Sequence, residues 1–374
     1  MNKVFVSKVN DYDVENLIKV IDNQFSQLGF SVTKGSTVVI KPNLIMKSKP
    51  EQAIITHPNV VEAVGVWVLN QGAKVLIVES PGGTYSPSIM KSNFDGCGYT
   101  VMAKKHGFEL YTACEHEKVI CEDALICKSF DIVKPFINAD YIIDIAKLKS
   151  HGMLTYSGAS KNLFGTVPGL MKPELHMRFP KEDDFATMLV DLCLIIKPQI
   201  SVIDAIDAME GDGPTGGRPK HIGALISADN TFSADFIACQ MANMVPSELS
   251  LLKKAMDRGL CPENIDEIKL FGEDFTKFIQ KDFLMPKSKP LNFVDYLPKF
   301  LRPLAKKIST PVPKIQIKNC IGCGKCAESC PAHTIEIIDK KAIINKENCI
   351  SCFCCHEMCP KHVIDIKRFT LFNL

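Results

Sequence analysis

Tyr141-Ile-Ile-Asp-Ile145, followed by Lys147-Leu-Lys149-Ser-His151, decides the fold class. A run that is apolar except for one aspartate has no solvent face, so it reads as a strand buried on both sides. Thr37-Val-Val-Ile40, Lys74-Val-Leu-Ile-Val-Glu79, Ile200-Ser-Val-Ile203 and Ala224-Leu-Ile-Ser227 have the same character. Between them apolar residues return at helical spacing: Val14, Leu17, Ile18, Ile21, Phe25 and Leu28, then 59–70, 186–196 and 234–244. Alternating helices and buried strands predict an α/β fold, a mainly parallel sheet with helices on both faces. The 374 residues allow two or three domains of about 150 residues each. With 46% hydrophobic and 23% charged residues the chain can bury a large core. Lys and Arg number 44 against 42 Asp and Glu, a formal charge of +2, so no global field draws in nucleic acid. No apolar run approaches the roughly 18 residues of a membrane span, and Met1 to Lys8 runs into charge rather than a signal segment; the expectation is a cytoplasmic protein.

The cysteines are the unusual feature. Nine of sixteen lie between Cys320 and Cys359, and eight of them write one pattern twice. Cys320-Ile-Gly-Cys323-Gly-Lys-Cys326-Ala-Glu-Ser-Cys330-Pro331 is followed by Cys349-Ile-Ser-Cys352-Phe-Cys-Cys355-His-Glu-Met-Cys359-Pro360. Zinc sites use paired CxxC units without a third evenly spaced Cys and a following Pro, and a disulfide framework calls for export. CxxCxxCxxxCP resembles the two-cluster bacterial ferredoxins over residues 314–367, with every ligand position matched. The resemblance implies two [4Fe-4S] clusters, one held by Cys320, Cys323, Cys326 and Cys359, the other by Cys349, Cys352, Cys355 and Cys330. Cys354 falls outside the pattern and reads as a spectator thiol. Ile335 to Ile338 and Ala342 to Ile344 read as a short hairpin of a small α+β, ferredoxin-like domain. The expected division is an α/β domain at 1–285, a Pro/Lys-rich linker at 286–313 whose middle is a short docking helix, and the cluster domain at 314–374.

In open parallel sheets ligands sit beyond the carboxyl ends of the strands. There stand Lys41-Pro42-Asn43, a Thr56-His57-Pro58 turn, Glu79-Ser80-Pro81-Gly82-Gly83, then Lys147, Lys149 and His151, and Asp204. The stretch 158–178 adds Lys161-Asn162, Gly165, Lys172, His176 and Arg178, a polar loop long enough to be functional. Lys41, Lys147, Lys149, Lys161 and Lys172, with Asn43 and Asn162, are the candidate anion or cofactor ligands. Glycines at 82, 83, 211, 213, 216 and 217 would let backbone N–H groups approach an anion. His57, His151 and His176 are the candidate proton donors, because an imidazole titrates nearest neutral pH. Asp95-Gly96-Cys97-Gly98 lacks the third glycine of a dinucleotide loop. Cys114, Cys121 and Cys127 are close enough in sequence to raise a further cluster or redox thiol, against the default of packed core thiols.

Taken together, Lys41-Pro42-Asn43, His57-Pro58, Glu79-Ser80, Lys147-Leu-Lys149-Ser-His151, Lys161-Asn162-Leu-Phe-Gly165 and Gly211-Asp-Gly213-Pro214 resemble the family called domain of unknown function 362, often fused to a two-cluster ferredoxin module. The resemblance covers nearly the whole chain and implies iron–sulfur electron transfer beside an α/β domain, with no substrate or catalytic residue assigned. Two functions follow. One is an oxidoreductase passing electrons from the clusters to an anionic substrate or an organic cofactor at the strand ends. The other is an electron carrier, a partner-binding protein or a cluster-delivery protein without a reaction of its own. The expected partner is a redox protein or a small anion.

Overall fold

The computed structural model describes residues 1–288 and 311–367. The linker expected at 286–313, with its docking helix, lies almost wholly outside the described residues.

Nine strands form one mixed, mostly parallel sheet. In chain order its members are β1 (Asn2–Lys8), β2 (Thr37–Pro42), β3 (Lys74–Ile77) and β4 (Glu109–Leu110). Apart from the sheet, β5 (His116–Ile120) and β6 (Ser129–Val133) form a separate antiparallel pair. The sheet continues with β7 (Tyr141–His151), β8 (Thr155–Ser157), β9 (Ile200–Asp212), β10 (Gly216–Ala228) and β11 (Ile268–Gly272). The spatial order is β11-β1-β10-β9-β7-β2-β3-β4, with β8 folded back on β7. The β9, β7, β2, β3 and β4 neighbours are parallel, while β10 runs against both β9 and β1.

Alternation along the strands sends side chains into two cores. Val38 and Ile40 join Leu17, Ile21 and Phe25 of the helix Val14–Leu28 and Val60 and Val64 of the helix Pro58–Asn70. Val39 points the other way, toward Leu189 of the helix Glu182–Ile195 and Ile237 of the helix Thr231–Met241. Helices therefore cover both faces, as a strand without a polar side requires.

Two segments differ from the reading of the sequence. β7 does not stop at Ile145 but runs on to His151, which puts Lys147, Lys149 and His151 on one face at every second residue. The glycine-rich stretch 209–217, expected as an anion-binding loop, is instead the end of a long β9–β10 hairpin paired Gly217 to Gly211 and Gly216 to Asp212. Its backbone groups are committed to the ladder and to Ser150, whose hydroxyl donates to Gly211 O at 2.8 Å.

The C-terminal segment pairs β12 (Val312–Ile315) with β15 (Ile364–Lys367) and β13 (Ile335–Ile338) with β14 (Lys341–Ile344). Asp339 and Lys340 both take positive φ, 49° and 58°, the tight turn that matches strand twist. Ile315, Ile335, Ala342 and Ile364 form its own small core with the cysteines.

One carboxylate builds the turn that carries the site. Gly158 precedes the helix Ala159–Asn162 and has no side chain to cap it. Asp235, fully buried on the helix Thr231–Met241, accepts from Ala159 N at 2.7 Å, Ser160 N at 2.8 Å, Tyr156 Oη at 3.0 Å and the Ser160 hydroxyl. Asp235→Ala leaves these donors buried without an acceptor, and should lower unfolding free energy by about 3 kcal/mol in urea titrations. An unchanged midpoint would contradict this role.

Candidate functional site

A pocket of about 710 Å³, counted to its open mouth, lies between the strand ends and the C-terminal segment. β2 leads into Asn43 and β3 into Glu79 to Gly83; the helices Ala159–Asn162 and Met171–Arg178 supply Lys161, Asn162, Lys172 and His176. The far wall is Ser329, Cys354, Glu357 and Met358. The two sides meet closely. A Cβ on Gly82 would stand 2.5 Å from Met358 Sδ, and one on Gly216 would stand 2.7 Å from His356 Cε1, so both positions need glycine for the approach. His356 Nε2 lies 3.0 Å from Asp212 O, and Thr215 donates to Glu357 O at 3.2 Å.

The candidate cations separate into three groups. Lys147 does not reach the pocket: it pairs with Asp204 at 2.8 Å, its cross-strand neighbour on β9, and donates to Tyr12 Oη at 2.9 Å. His57 belongs to that cluster, stacked on Tyr12 at 3.7 Å, and its Nδ1 caps the helix Pro58–Asn70 by accepting from Asn59 N. Lys41 and Lys149 lie beneath the pocket with no exposure. Lys41 pairs with Glu79 at 2.6 Å; Lys149 donates to Asn43 Oδ1 at 2.6 Å and Ile54 O at 2.9 Å. From Asn43 the chain of donors continues to Asn162 Oδ1 and from Asn162 to Asp144 Oδ1. Lys161 and Lys172 line the pocket itself. Lys172 donates to Ser80 O and Val167 O, each at 2.6 Å.

The histidines differ from expectation in protonation. Burial lowers His57 and His151 to about 4 and His176 to about 3, so all three are neutral at pH 7 and hold no standing proton to give. His151 Nδ1 accepts from Met153 N and Leu154 N, which leaves the ring proton on Nε2, 3.2 Å from Glu357 Oε1. His176 stacks on Phe185 at 4.2 Å, and its buried Nδ1 has no partner. The pocket group that titrates near neutrality is Lys172: burial pulls it down to about 7, with Lys41 and Lys161 adding to the fall and Glu79 opposing it. Glu357 is opposed by burial, yet His151, 3.2 Å from its Oε1, and the Lys161 ammonium nearby hold it well below the usual carboxylate range. The sequence reading missed Glu357; its one signal was a carboxylate set between Cys355 and Cys359.

The cluster cysteines fall into two sets. Cys320, Cys323, Cys326 and Cys359 line a cavity of about 360 Å³, and Cys330, Cys349, Cys352 and Cys355 line another of about 300 Å³. Gly322 N and Ala342 N point at Cys320 Sγ at 3.4 Å, and Thr334 N at Cys330 Sγ at 3.4 Å, the donors that cluster thiolates accept. Each cavity thus fits a [4Fe-4S] cube, which takes one thiolate at each iron rather than several on one ion. Among the described residues no His, Cys, Asp or Glu group converges to hold a single metal ion. Cys114, Cys121 and Cys127 donate to Thr112 O, Asp191 O and Ser129 O, and burial raises all three thiols; they are packed, not gathered.

A family model described as a domain of unknown function (DUF362) matches residues 38–240, and one described as a 4Fe-4S dicluster domain matches residues 313–360. Among curated proteins, the Thylakoid-associated protein sll1697 of Synechocystis sp. is 31% identical over 236 residues, 63% of this chain and 72% of its own length. Two solved structures are remotely similar. One, the lactate racemase apoprotein from Thermoanaerobacterium thermosaccharolyticum, has a TM-score of 0.41 at 14% identity, over 65% of this chain and 57% of that one. The other, a Thermotoga maritima protein, has a TM-score of 0.39 at 13% identity, over 64% of this chain and 60% of that one. The match thus spans less than two thirds of either.

Lys172 makes a pH prediction. Its folded value of about 7 lies below the unfolded value of about 10.4, so the stability it contributes is present above pH 10 and lost as pH falls through 7. Urea midpoints of the wild type should therefore climb between pH 7 and 10 relative to those of Lys172→Met. Parallel curves for the two proteins would sink the assignment.

Proposed function

The chain belongs to the family described as domain of unknown function DUF362 and carries a 4Fe-4S dicluster domain, and on that premise we propose that it is an iron–sulfur oxidoreductase acting on a ligand in the pocket between its α/β domain (1–285) and its cluster domain (314–374). The supporting observation is the shared wall: Cys354 lines the pocket and is bonded in sequence to Cys355 of the second cysteine set. Bound in the two cavities, [4Fe-4S] clusters would supply single electrons. Cys330, Cys349, Cys352 and Cys355 hold the cluster nearer the pocket; Cys320, Cys323, Cys326 and Cys359 hold the outer one, with Cys323 exposed toward a redox partner.

The rest is the work of the protein's own groups. Lys161 attracts an anionic part of the ligand, since among the described residues its ammonium has no hydrogen bond or ion pair and stands 6.0 Å from the Phe164 ring centre. Lys172 supplies or takes up the proton that accompanies an electron, because a group near 7 is populated in both forms at working pH. Met358 and the Gly82-Gly83 backbone close the mouth against water.

Anaerobically purified protein should hold about eight irons, and Cys326→Ser or Cys352→Ser about four. Propionate and L-alanine, titrated into the reduced protein, should alter the EPR spectrum of the cluster retained in Cys326→Ser and leave the one retained in Cys352→Ser unchanged. Full iron with neither spectrum responding to any ligand would favour an electron carrier without a reaction of its own.

A further inference from the structure

The charges of the pocket do not add up to a simple anion site. Lys41 is answered by Glu79, Lys149 by Asn43 and Ile54, Lys172 by three backbone carbonyls and the Ser80 hydroxyl, and Lys147 lies elsewhere with Asp204. Among the described residues lining the pocket, Lys161 is the cation without a hydrogen bond or ion pair. Opposite it stands a fixed negative charge, Glu357, brought in by the C-terminal segment and turned toward the pocket by His151 at 3.2 Å. Lys161 and Glu357 both line the pocket and make no ion pair with each other, so the Lys161 ammonium and the Glu357 oxygen turned away from His151 remain open to a ligand. His176 lines the pocket from the side that carries Lys161 and Lys172. Its ring is clamped against Phe185, its residue is 4% exposed, and its Nδ1 is buried without a partner.

We propose that the pocket takes a zwitterion, a small molecule whose carboxylate meets Lys161 and whose ammonium meets Glu357; amino acids are the simplest members of the class. A dianion such as phosphate would find one open cation and be repelled by Glu357. A carboxylate alone would satisfy Lys161 and leave the Glu357 charge without a cation to balance it, which is unfavourable in a closed site. A lone amine has the converse fault. The assignment names the ligand class for the electron-accepting site proposed above and rests on that reading.

The test is isothermal titration of the anaerobic holoprotein with L-alanine, L-leucine, propionate, ethylamine and inorganic phosphate. An amino acid should bind about tenfold or more tighter than propionate, ethylamine or phosphate. Glu357→Gln should erase the advantage of the amino acid over propionate, and Lys161→Gln its advantage over ethylamine, each variant keeping the wild-type iron–sulfur absorption. Should Glu357→Gln fail to assemble, Lys161→Gln and the wild-type ranking still decide. Phosphate or propionate binding as tightly as the amino acids, or no member of the panel binding, overturns the zwitterion. The two readings fail separately. An amino acid bound in calorimetry without an EPR response retains the zwitterion site and removes electron delivery; an EPR response to propionate that matches or exceeds the response to alanine does the reverse.

Discussion

The contact between His151 and Glu357 joins the two halves of the site. His151 is the last residue of β7 and fully buried, and two backbone N–H groups occupy its Nδ1. The ring proton therefore has one direction, toward the carboxylate between Cys355 and Cys359. A charge at such a position, without a donor, would strongly disfavour docking of the C-terminal segment against the strand ends. With the donor in place the segment is oriented, the pocket gains its far wall, and the second cysteine set is brought against the ligand space.

The same logic explains why so many lysines are buried without serving a ligand. A mainly parallel sheet ends its strands at one edge, and polar residues placed there are covered once a second segment packs over them. Each covered cation then needs an answer. Lys147 has Asp204 and Tyr12, a closed cluster holding β7 in register with β9; Lys41 has Glu79; Lys149 has Asn43 and a carbonyl. These pairs are structural in their immediate effect, since replacing one partner would strand the other. What distinguishes Lys161 is not its position at the strand ends but the lack of an answer among the described residues.

The strand-and-helix alternation and the cysteine spacing made the fold class and the two cysteine sets readable, because both depend on local periodicity. Lys161, Lys172, Asn43, Asn162 and His176 were also within reach of the rule that ligands gather beyond strand ends, and they share one pocket. His57 and Lys147 satisfied the same rule and lie elsewhere, because nothing in the sequence says which strand-end cations will find a carboxylate across the sheet. Glu357 was hidden for a different reason. It lies 206 positions from His151, and pairing across that separation depends on how the cluster segment docks. The neutral state of the histidines is likewise a property of burial, which residue type does not reveal.

The two cysteine cavities are alike in ligand pattern and unlike in surroundings, and the difference bears on direction. Cys323 is exposed and Cys320 half-buried, beside the exposed Ile321 and Ile337. Cys330, Cys352 and Cys355 are buried, and Cys354, also buried, lines the pocket beside Cys355 in the chain. A cluster near solvent is reachable by another protein, while one screened by protein is reachable only through its neighbours. On the proposed reading, electrons entering at the outer set would arrive beside a pocket whose Lys161 and Lys172 come from the helices Ala159–Asn162 and Met171–Arg178. The C-terminal segment and the strand-end residues each supply only part of the pocket lining, so on that reading their docking, through His151 and Glu357, is part of the chemistry rather than only of the fold.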